Sequence, residues 1–277
     1  MIFVTGANGL IGGGLLADLQ RRKIVSQGSG RRGAEGVECL LDLGSVEDAE
    51  LPPEIEVAVL CAWSGGVAEC AQDPEGTRRI NVEGTLTLIR RLKECGAKII
   101  FPSTSLVFSG VEDGADSPLS PGCEYARQKA AVEQALDPSV DVILRMTKVG
   151  ETLLPRLNTW VDDLRGSRRV TAASWLRVAP VLLSDIIAGL IWLAVNFQPG
   201  IFQMSAGRDT SYFDIARRLA QSLGVSDSLV FEDASPSRIF DRTPMRGSLD
   251  IVAPVGCTAW PDGRDVVLTL VEQAVFC

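Results

Sequence analysis

The amino-acid sequence predicts an α/β protein, a doubly wound parallel sheet with a smaller C-terminal lobe. Three observations carry this reading. The chain opens on an apolar run, Met1–Val4, that stops at Thr5-Gly6-Ala7-Asn8-Gly9-Leu10-Ile11-Gly12 and resumes as an apolar helix. Short apolar runs then alternate with helical segments as far as Gly150, a pattern that calls for right-handed β-α-β crossovers. After Gly150 the alternation weakens. Helices at roughly 153–165, 184–197 and 211–223 are joined by loops and short strands such as Ile201–Met204.

The first turn is the most informative element. Glycines spaced three apart after a strand form a dinucleotide-binding turn of the Rossmann type. The first glycine allows the tight turn, the second lets backbone approach a pyrophosphate, and the third lets helix and strand pack closely. The helix N-terminus beyond offers free N–H groups and the positive end of a dipole. Gly6, Asn8, Gly9, Leu10, Ile11 and Gly12 are therefore candidate cofactor contacts. With a strand starting at residue 1, no leader segment is expected ahead of it.

The next elements follow in order. Lys23–Ser26 reads as a second strand and Gly36–Leu43 as a third, followed by a short acidic segment. Glu56–Cys61 is a near-continuous apolar strand, as expected in a parallel sheet covered on both faces. A long helix is expected over about Pro74–Gly96, then a strand over Ala97–Phe101 ending at Pro102, a helix over Tyr125–Leu136 and a last strand over Val140–Arg145. This divides the chain into a dinucleotide-binding domain, 1–150, and a mainly substrate-binding lobe, 151–277, with segments near 178–204 returning to the first. The lobe is expected against the C-terminal ends of the strands, where open α/β sheets bind ligands.

Composition sets limits on function. The chain has 277 residues, is 46% hydrophobic and carries a net charge of −8. That balance argues against nucleic acid or an anionic membrane as partner, although local arginines can still hold an anionic substrate. The longest apolar stretch, Ile186–Phe197, is too short to span a bilayer. It reads as a buried helix capped by Ser184 and stopped at Pro199-Gly200. Seven cysteines (39, 61, 70, 95, 123, 257 and 277) show no C-x-x-C pair, so reduced, partly buried thiols in a cytoplasmic protein are expected. There is no histidine. This excludes Ser-His-Asp and Cys-His chemistry and any His-ligated metal, and no metal site is expected. A proton donor must then be Tyr, Lys, Cys or a carboxylate.

One constellation supplies such a donor. Pro102-Ser103-Thr104-Ser105 directly follows a strand, which puts hydroxyls in the ligand crevice. Tyr125 and Lys129 come next, spaced i, i+4 on a predicted helix and so one turn apart on one face. A cation there is expected to favour phenolate and lower the Tyr125 pKa. The chain has only two tyrosines and five lysines, so a chance Tyr-x-x-x-Lys arises about 4% of the time, which makes the match informative.

Taken together, Thr5-Gly6-x-x-Gly9-x-x-Gly12, Asn81-Val82-x-Gly84-Thr85, Ser103-Thr104 and Tyr125-x-x-x-Lys129 resemble the extended short-chain dehydrogenase/reductase superfamily. Ser103-Thr104-Ser105-Leu106-Val107-Phe108-Ser109-Gly110 is similar to the Ser-Thr-Asp-Tyr-Val-Phe-Asp-Gly segment of its dTDP-4-dehydrorhamnose reductase branch. Ala179-Pro180-Val181 with Asp185-Ile186, Gly200–Ser205, and Arg242-x-Pro244-x-x-x-Ser248-Leu249-Asp250 resemble the same branch.

The resemblance implies roles. Tyr125 would protonate the substrate oxygen during hydride transfer, Lys129 would bind the nicotinamide ribose, and Thr104 would hydrogen-bond the reacting oxygen. Asp42 and Leu43 would touch the adenine, with Cys61 and Ala62 beside the cofactor. Asn81 would line the site or brace its helix, and Arg145 would line the site or serve structure. Members are often dimers. Two departures stand out. Ser105 and Leu106 replace the Asp-Tyr of the branch and the Asp-Glu of 4,6-dehydratases, so elimination of water is not expected. Cys61-Ala62-Trp63 stands where a polar residue and two alanines are usual, and Trp63 would narrow the site, stack on the ligand or simply fill the core.

Charge argues for NADP over NAD. The stretch Ser26-Gln27-Gly28-Ser29-Gly30 carries no acid to grip ribose hydroxyls, and Arg31-Arg32 follows within reach of a 2′-phosphate. Arg238, Arg242 and Arg246 are a second basic run, facing either a nucleotide diphosphate or solvent, and Arg168-Arg169 is a weaker one. The expected activity is NADPH-dependent reduction of a 4-keto nucleotide-linked sugar. An NAD-dependent epimerase and a non-catalytic dinucleotide sensor are the alternatives.

Overall fold

The computed structural model describes residues 1–33, 37–109, 114–243, 246–258 and 260–276. Gly36, Gly110, Pro244 and Cys277 of the motifs above lie outside the described residues.

Strands β1 (Ile2–Thr5), β2 (Ser26–Gly30), β3 (Val37–Leu40), β4 (Val57–Leu60), β5 (Lys98–Thr104) and β6 (Val142–Met146) alternate with helices α1 (Leu10–Arg21), α2 (Val67–Gln72), α3 (Pro74–Arg78), α4 (Thr85–Glu94) and α5 (Glu124–Glu133). Further on come α6 (Leu154–Arg165), β7 (Val170–Ala173), β8 (Arg177–Val178), α7 (Leu183–Asn196), β9 (Gly200–Met204), β10 (Thr210–Ser211), α8 (Tyr212–Ser222), β11 (Val230–Asp233) and α9 (Val267–Phe276). Seven strands form one parallel sheet in the order β3-β2-β1-β4-β5-β6-β9. The expected doubly wound sheet is present, and β9 returns to its edge.

Side-chain alternation along the strands covers both faces. Ile2, Val4, Val57 and Val59 pack with α1 and α7 on one side; Phe3, Ala58, Leu60 and Phe101 pack with α4 and α5 on the other. A separate apolar cluster joins α6, α8 and α9 over the β7–β11 pair.

Several expectations shift. The second strand is Ser26–Gly30, not Lys23–Ser26: Lys23 takes φ +59° in the turn, and small residues, not apolar ones, form the strand. The third is Val37–Leu40. Strand β5 passes through Pro102 to Thr104. Because β4 pairs with it only up to Ile100, Pro102 has no ladder bond to lose on that side. The long helix is interrupted: between α3 and α4, Arg79–Gly84 widens into a π-helix. Strand β6 is not the last of the sheet, since β9 pairs outside it. Ser184 does not cap α7. Leu182 is the N-cap, and the Leu183 N–H instead donates to Glu151 Oε2 at 2.7 Å, a carboxylate at the positive end of the helix. Cys95 is exposed, whereas Cys39, Cys70 and Cys123 are buried as expected. Among the described residues, no helix is long and apolar enough to cross a membrane.

Candidate active site

Strand order reverses between β1 and β4, so their carboxyl ends open a crevice. The glycine turn shapes its floor. Gly6 takes φ +66°, and a Cβ there would stand 2.7 Å from the Ala62 backbone, so only glycine lets the two strand ends meet. A Cβ on Gly12 would drive into the Gly6 carbonyl; its absence lets α1 begin against β1. The Thr5 hydroxyl accepts from the Ala62 N–H at 3.1 Å and locks the two loops together.

The resulting cleft has a volume of about 510 Å³. Of the residues expected at a cofactor, Gly6, Asn8, Gly9, Arg31, Arg32, Asp42, Leu43, Cys61 and Ala62 line it. Leu10, Ile11 and Gly12 do not line the cleft but start α1 beside it. No side chain caps that helix and no acid stands in its first turn, so its N–H groups remain available to an anion. Gly30, Trp63, Ser64 and Ile80 also line the cleft. Among the described residues there is no cluster of three or more carboxylates and thiols able to hold a metal.

Asn81 resolves toward bracing. It is fully buried; its Oδ1 accepts from the Ser64 N–H at 2.7 Å and its Nδ2 donates to the Ser64 carbonyl at 2.8 Å. Nδ2 also donates to Gln128 Oε1 at 2.9 Å, and Gln128 Nε2 donates to Thr77 Oγ1 at 2.9 Å. The π-helix carrying Asn81 thus ties the loop after β4 to α5. Gly84, on the same π-helix, leaves room for the Leu43 carbonyl, which explains the Asn81-Val82-x-Gly84 spacing. Gln128 was not singled out in the sequence. The available signal was an amide three residues beyond Tyr125, on the helix face that turns to the core.

Tyr125 and Lys129 leave α5 toward Trp63. The Tyr125 ring meets Trp63 edge-on at 6.1 Å between centroids. Lys129 Nζ lies 3.8 Å from the Trp63 ring centroid and 4.6 Å from that of Phe101, and donates to the Pro102 carbonyl at 2.9 Å. Thr104 closes β5, its hydroxyl accepting from the Leu106 N–H at 3.3 Å. The expected lowering of the Tyr125 pKa is not found. Burial, and the neighbouring Cys70 and Cys123 thiols, push the phenol up. The Lys129 ammonium is turned to the aromatic faces and the carbonyl, and is itself pushed down to about 7 by burial. Cys61 beside it is pushed up to about 12 by the same burial. Burial therefore keeps Tyr125 a neutral, protonated phenol in the free chain.

Arg145 resolves toward structure. It is buried and donates through Nε and Nη2 to Glu133 Oε2, at 3.0 and 2.9 Å. Arg168 pairs with Asp163 and Arg169 stacks on Phe231, so that pair serves local packing. Arg238, Arg242 and Arg246 are exposed. Their segment docks beside α5, with the Asp241 N–H on the Gly122 carbonyl and Asp241 paired to Arg127 at 2.6 Å.

Residues 1–241 match the family model described as the RmlD substrate binding domain. The chain belongs to that family. A curated relative, "Probable low-salt glycan biosynthesis reductase Agl14" of Haloferax volcanii, is 26% identical over 270 residues, covering 90% of this chain and 89% of its own. A dTDP-4-dehydrorhamnose reductase from Yersinia enterocolitica superposes with a TM-score of 0.80 at 18% identity, over 99% of this chain and 98% of that one. The enzyme of the same name from Bacillus anthracis, solved with NADP, reaches 0.71 at 18% identity over 90% and 89%. The superfamily and branch read from the motifs are those of the RmlD family and its structural neighbours.

Proposed function

We propose that this RmlD-family protein is an NADPH-dependent reductase of a nucleotide-linked 4-keto sugar. Residues 1–150, with 178–204 returning to them, form the cofactor half, and the rest of 151–277 faces the substrate. The observation that carries the reading is that the glycine turn and the Arg31–Arg32 pair line one cleft at the switch point, and that Tyr125 and Lys129, which do not line it, pack against the cleft-lining Trp63.

The cleft fits a dinucleotide. Its floor is glycine backbone, the α1 N-terminus is uncapped by any side chain, and two guanidinium groups stand at its rim. Gly6 and Gly9 with the α1 N-terminus would hold the pyrophosphate. Arg31 and Arg32 would hold the 2′-phosphate, with Asp42 and Leu43 beside the adenine. Lys129 would take the nicotinamide ribose. The bound cofactor supplies hydride. Tyr125, kept protonated by its surroundings, gives its proton to the substrate oxygen, and the Thr104 hydroxyl orients that oxygen. Ser105 and Leu106 offer no carboxyl group, so the site lacks the acid and base that loss of water requires.

The test is loss of absorbance at the reduced-nicotinamide band with NADPH and a dTDP-4-keto-6-deoxy sugar. Consumption that depends on substrate, and that falls ~10²–10⁴-fold in Tyr125→Phe with NADPH binding unchanged, supports the reading. Bound cofactor with no consumption overturns it.

A further inference from the structure

We infer that Trp63 is the positioning residue of this site: its indole seats Lys129 and Tyr125 before the cofactor arrives, and senses the cofactor when it binds. This rests on the reading of the cleft as a dinucleotide site and assigns a role to a side chain that the branch pattern does not provide.

Three observations converge on Trp63. First, it lines the cofactor cleft at the end nearer α5. Second, it contacts both members of the proton-transfer pair, its face under the Lys129 ammonium at 3.8 Å and its ring edge-on to Tyr125 at 6.1 Å. Among the described residues Tyr125 and Lys129 share no hydrogen bond, so the indole is what links them. Third, the indole Nε1 is buried with no hydrogen-bond partner. A buried N–H without a partner is costly, and a fold retains such a group where a rearrangement or a ligand can satisfy it.

The backbone beneath Trp63 is held on purpose. Ser64, the next residue, has both its N–H and its carbonyl bonded to the Asn81 side chain. Asn81 in turn is bonded to Gln128, which neighbours Lys129 on α5. Loop and helix are therefore registered to each other, and the indole cannot drift relative to the lysine. A long lysine side chain loses rotamer freedom when it is fixed. Stacking on a desolvated aromatic face meets part of that cost before any ligand is present. When the ribose hydroxyls accept hydrogen bonds from the ammonium, which stays over the indole, the field at the ring changes and the Trp63 emission changes with it.

The experiment is a titration of the full chain with NADP⁺, which does not emit, followed by tryptophan fluorescence and in parallel by calorimetry. Three variants separate the roles of ring and bulk: Trp63→Phe keeps an aromatic face, Trp63→Leu keeps apolar bulk without one, and Trp63→Ala keeps neither. The expected result is a saturable emission change in the wild type that disappears in all three variants. Calorimetric Kd stays within about threefold in Trp63→Phe and weakens about tenfold in Trp63→Leu and Trp63→Ala. Thermal melting of each variant checks that it is folded. If Trp63→Leu binds as the wild type does, or if the emission change survives without Trp63, the positioning role is overturned and the cofactor reading stands. If the wild type binds neither NADP⁺ nor NAD⁺, both readings fall together.

Discussion

Helix α5 separates two buried cations that the fold treats in opposite ways. At its C-terminal end Arg145 reaches from β6 to Glu133, donating two hydrogen bonds to one carboxylate oxygen and a third to the Ala115 carbonyl. One turn closer to the N-terminus, Lys129 is equally enclosed but makes no direct ion pair among the described residues, and the Glu133 charge acts on it only at a distance. It has one carbonyl and two aromatic faces. A charge neutralised in place is committed to the fold. A charge held only by polarisable surfaces and one dipole stays available to a ligand, and its pKa of about 7 records what that availability costs. Both residues follow apolar elements in the sequence, and neither position alone tells which is structural. What differs is the direct pair to Glu133, which Arg145 makes and Lys129 does not.

The strongest way to break this comparison is to remove Arg145. Arg145→Met would leave Glu133 buried and charged, with an oxygen, Oε1, that already lacks a partner. Orphaning one member of a buried pair costs about 3–5 kcal/mol. Urea denaturation should report a loss of that size, and the double variant Arg145→Met/Glu133→Leu should recover most of it. A loss under 1 kcal/mol in the single variant would mean that Arg145 is not anchored by Glu133, and the contrast with Lys129 would lose its structural half.

A third kind of cation sharpens the contrast. Arg31 and Arg32 line the rim of the cleft, are exposed, and form no ion pair among the described residues. They cost the fold little, and the proposed function has them meet a phosphate. Replacing both by alanine should leave the melting temperature unchanged and weaken NADP⁺ about tenfold relative to NAD⁺, or ~1.4 kcal/mol. Equal weakening of both cofactors would assign the arginines to general electrostatics instead of to the 2′-phosphate.

These three cases also mark how far the sequence could be read. The glycine turn, the hydroxyl at Thr104 and the Tyr125–Lys129 spacing were legible because each depends on a local backbone requirement or on helical geometry. So was the sheet, apart from β2, whose Ser26–Gly30 run has no apolar pattern because it packs small residues beside the cleft. The roles of Asn81, Arg145 and Gln128 were not legible. Each is decided by partners 12 to 58 residues away, Glu133 and Gln203 for Arg145, Ser64 and Gln128 for Asn81, Thr77 for Gln128. The direction of the Tyr125 shift failed for the same reason. The i, i+4 rule puts Lys129 on the correct face, but Phe101, Pro102 and Trp63, brought in by other strands, decide where the ammonium points.

The finest test uses pH. In the folded, cofactor-free chain Lys129 loses its proton near pH 7, whereas in the unfolded chain it holds one to about 10.5. Between these limits the unfolded state binds more protons, so stability must rise with pH, by at most about 1.4 kcal/mol per pH unit. The buried thiols act in the opposite sense, since their folded pKa values are raised, Cys61 to about 12. They contribute only above their unfolded value near 9. The window that isolates Lys129 is therefore pH 7–9. Urea midpoints of the wild type should climb across it more steeply than those of Lys129→Met. The remaining slope belongs to groups common to both chains, including Lys148, which burial also pushes down. Parallel slopes would mean that Lys129 keeps its charge when folded, and that the aromatic faces alone stabilise an ammonium as well as Glu133 stabilises the Arg145 guanidinium.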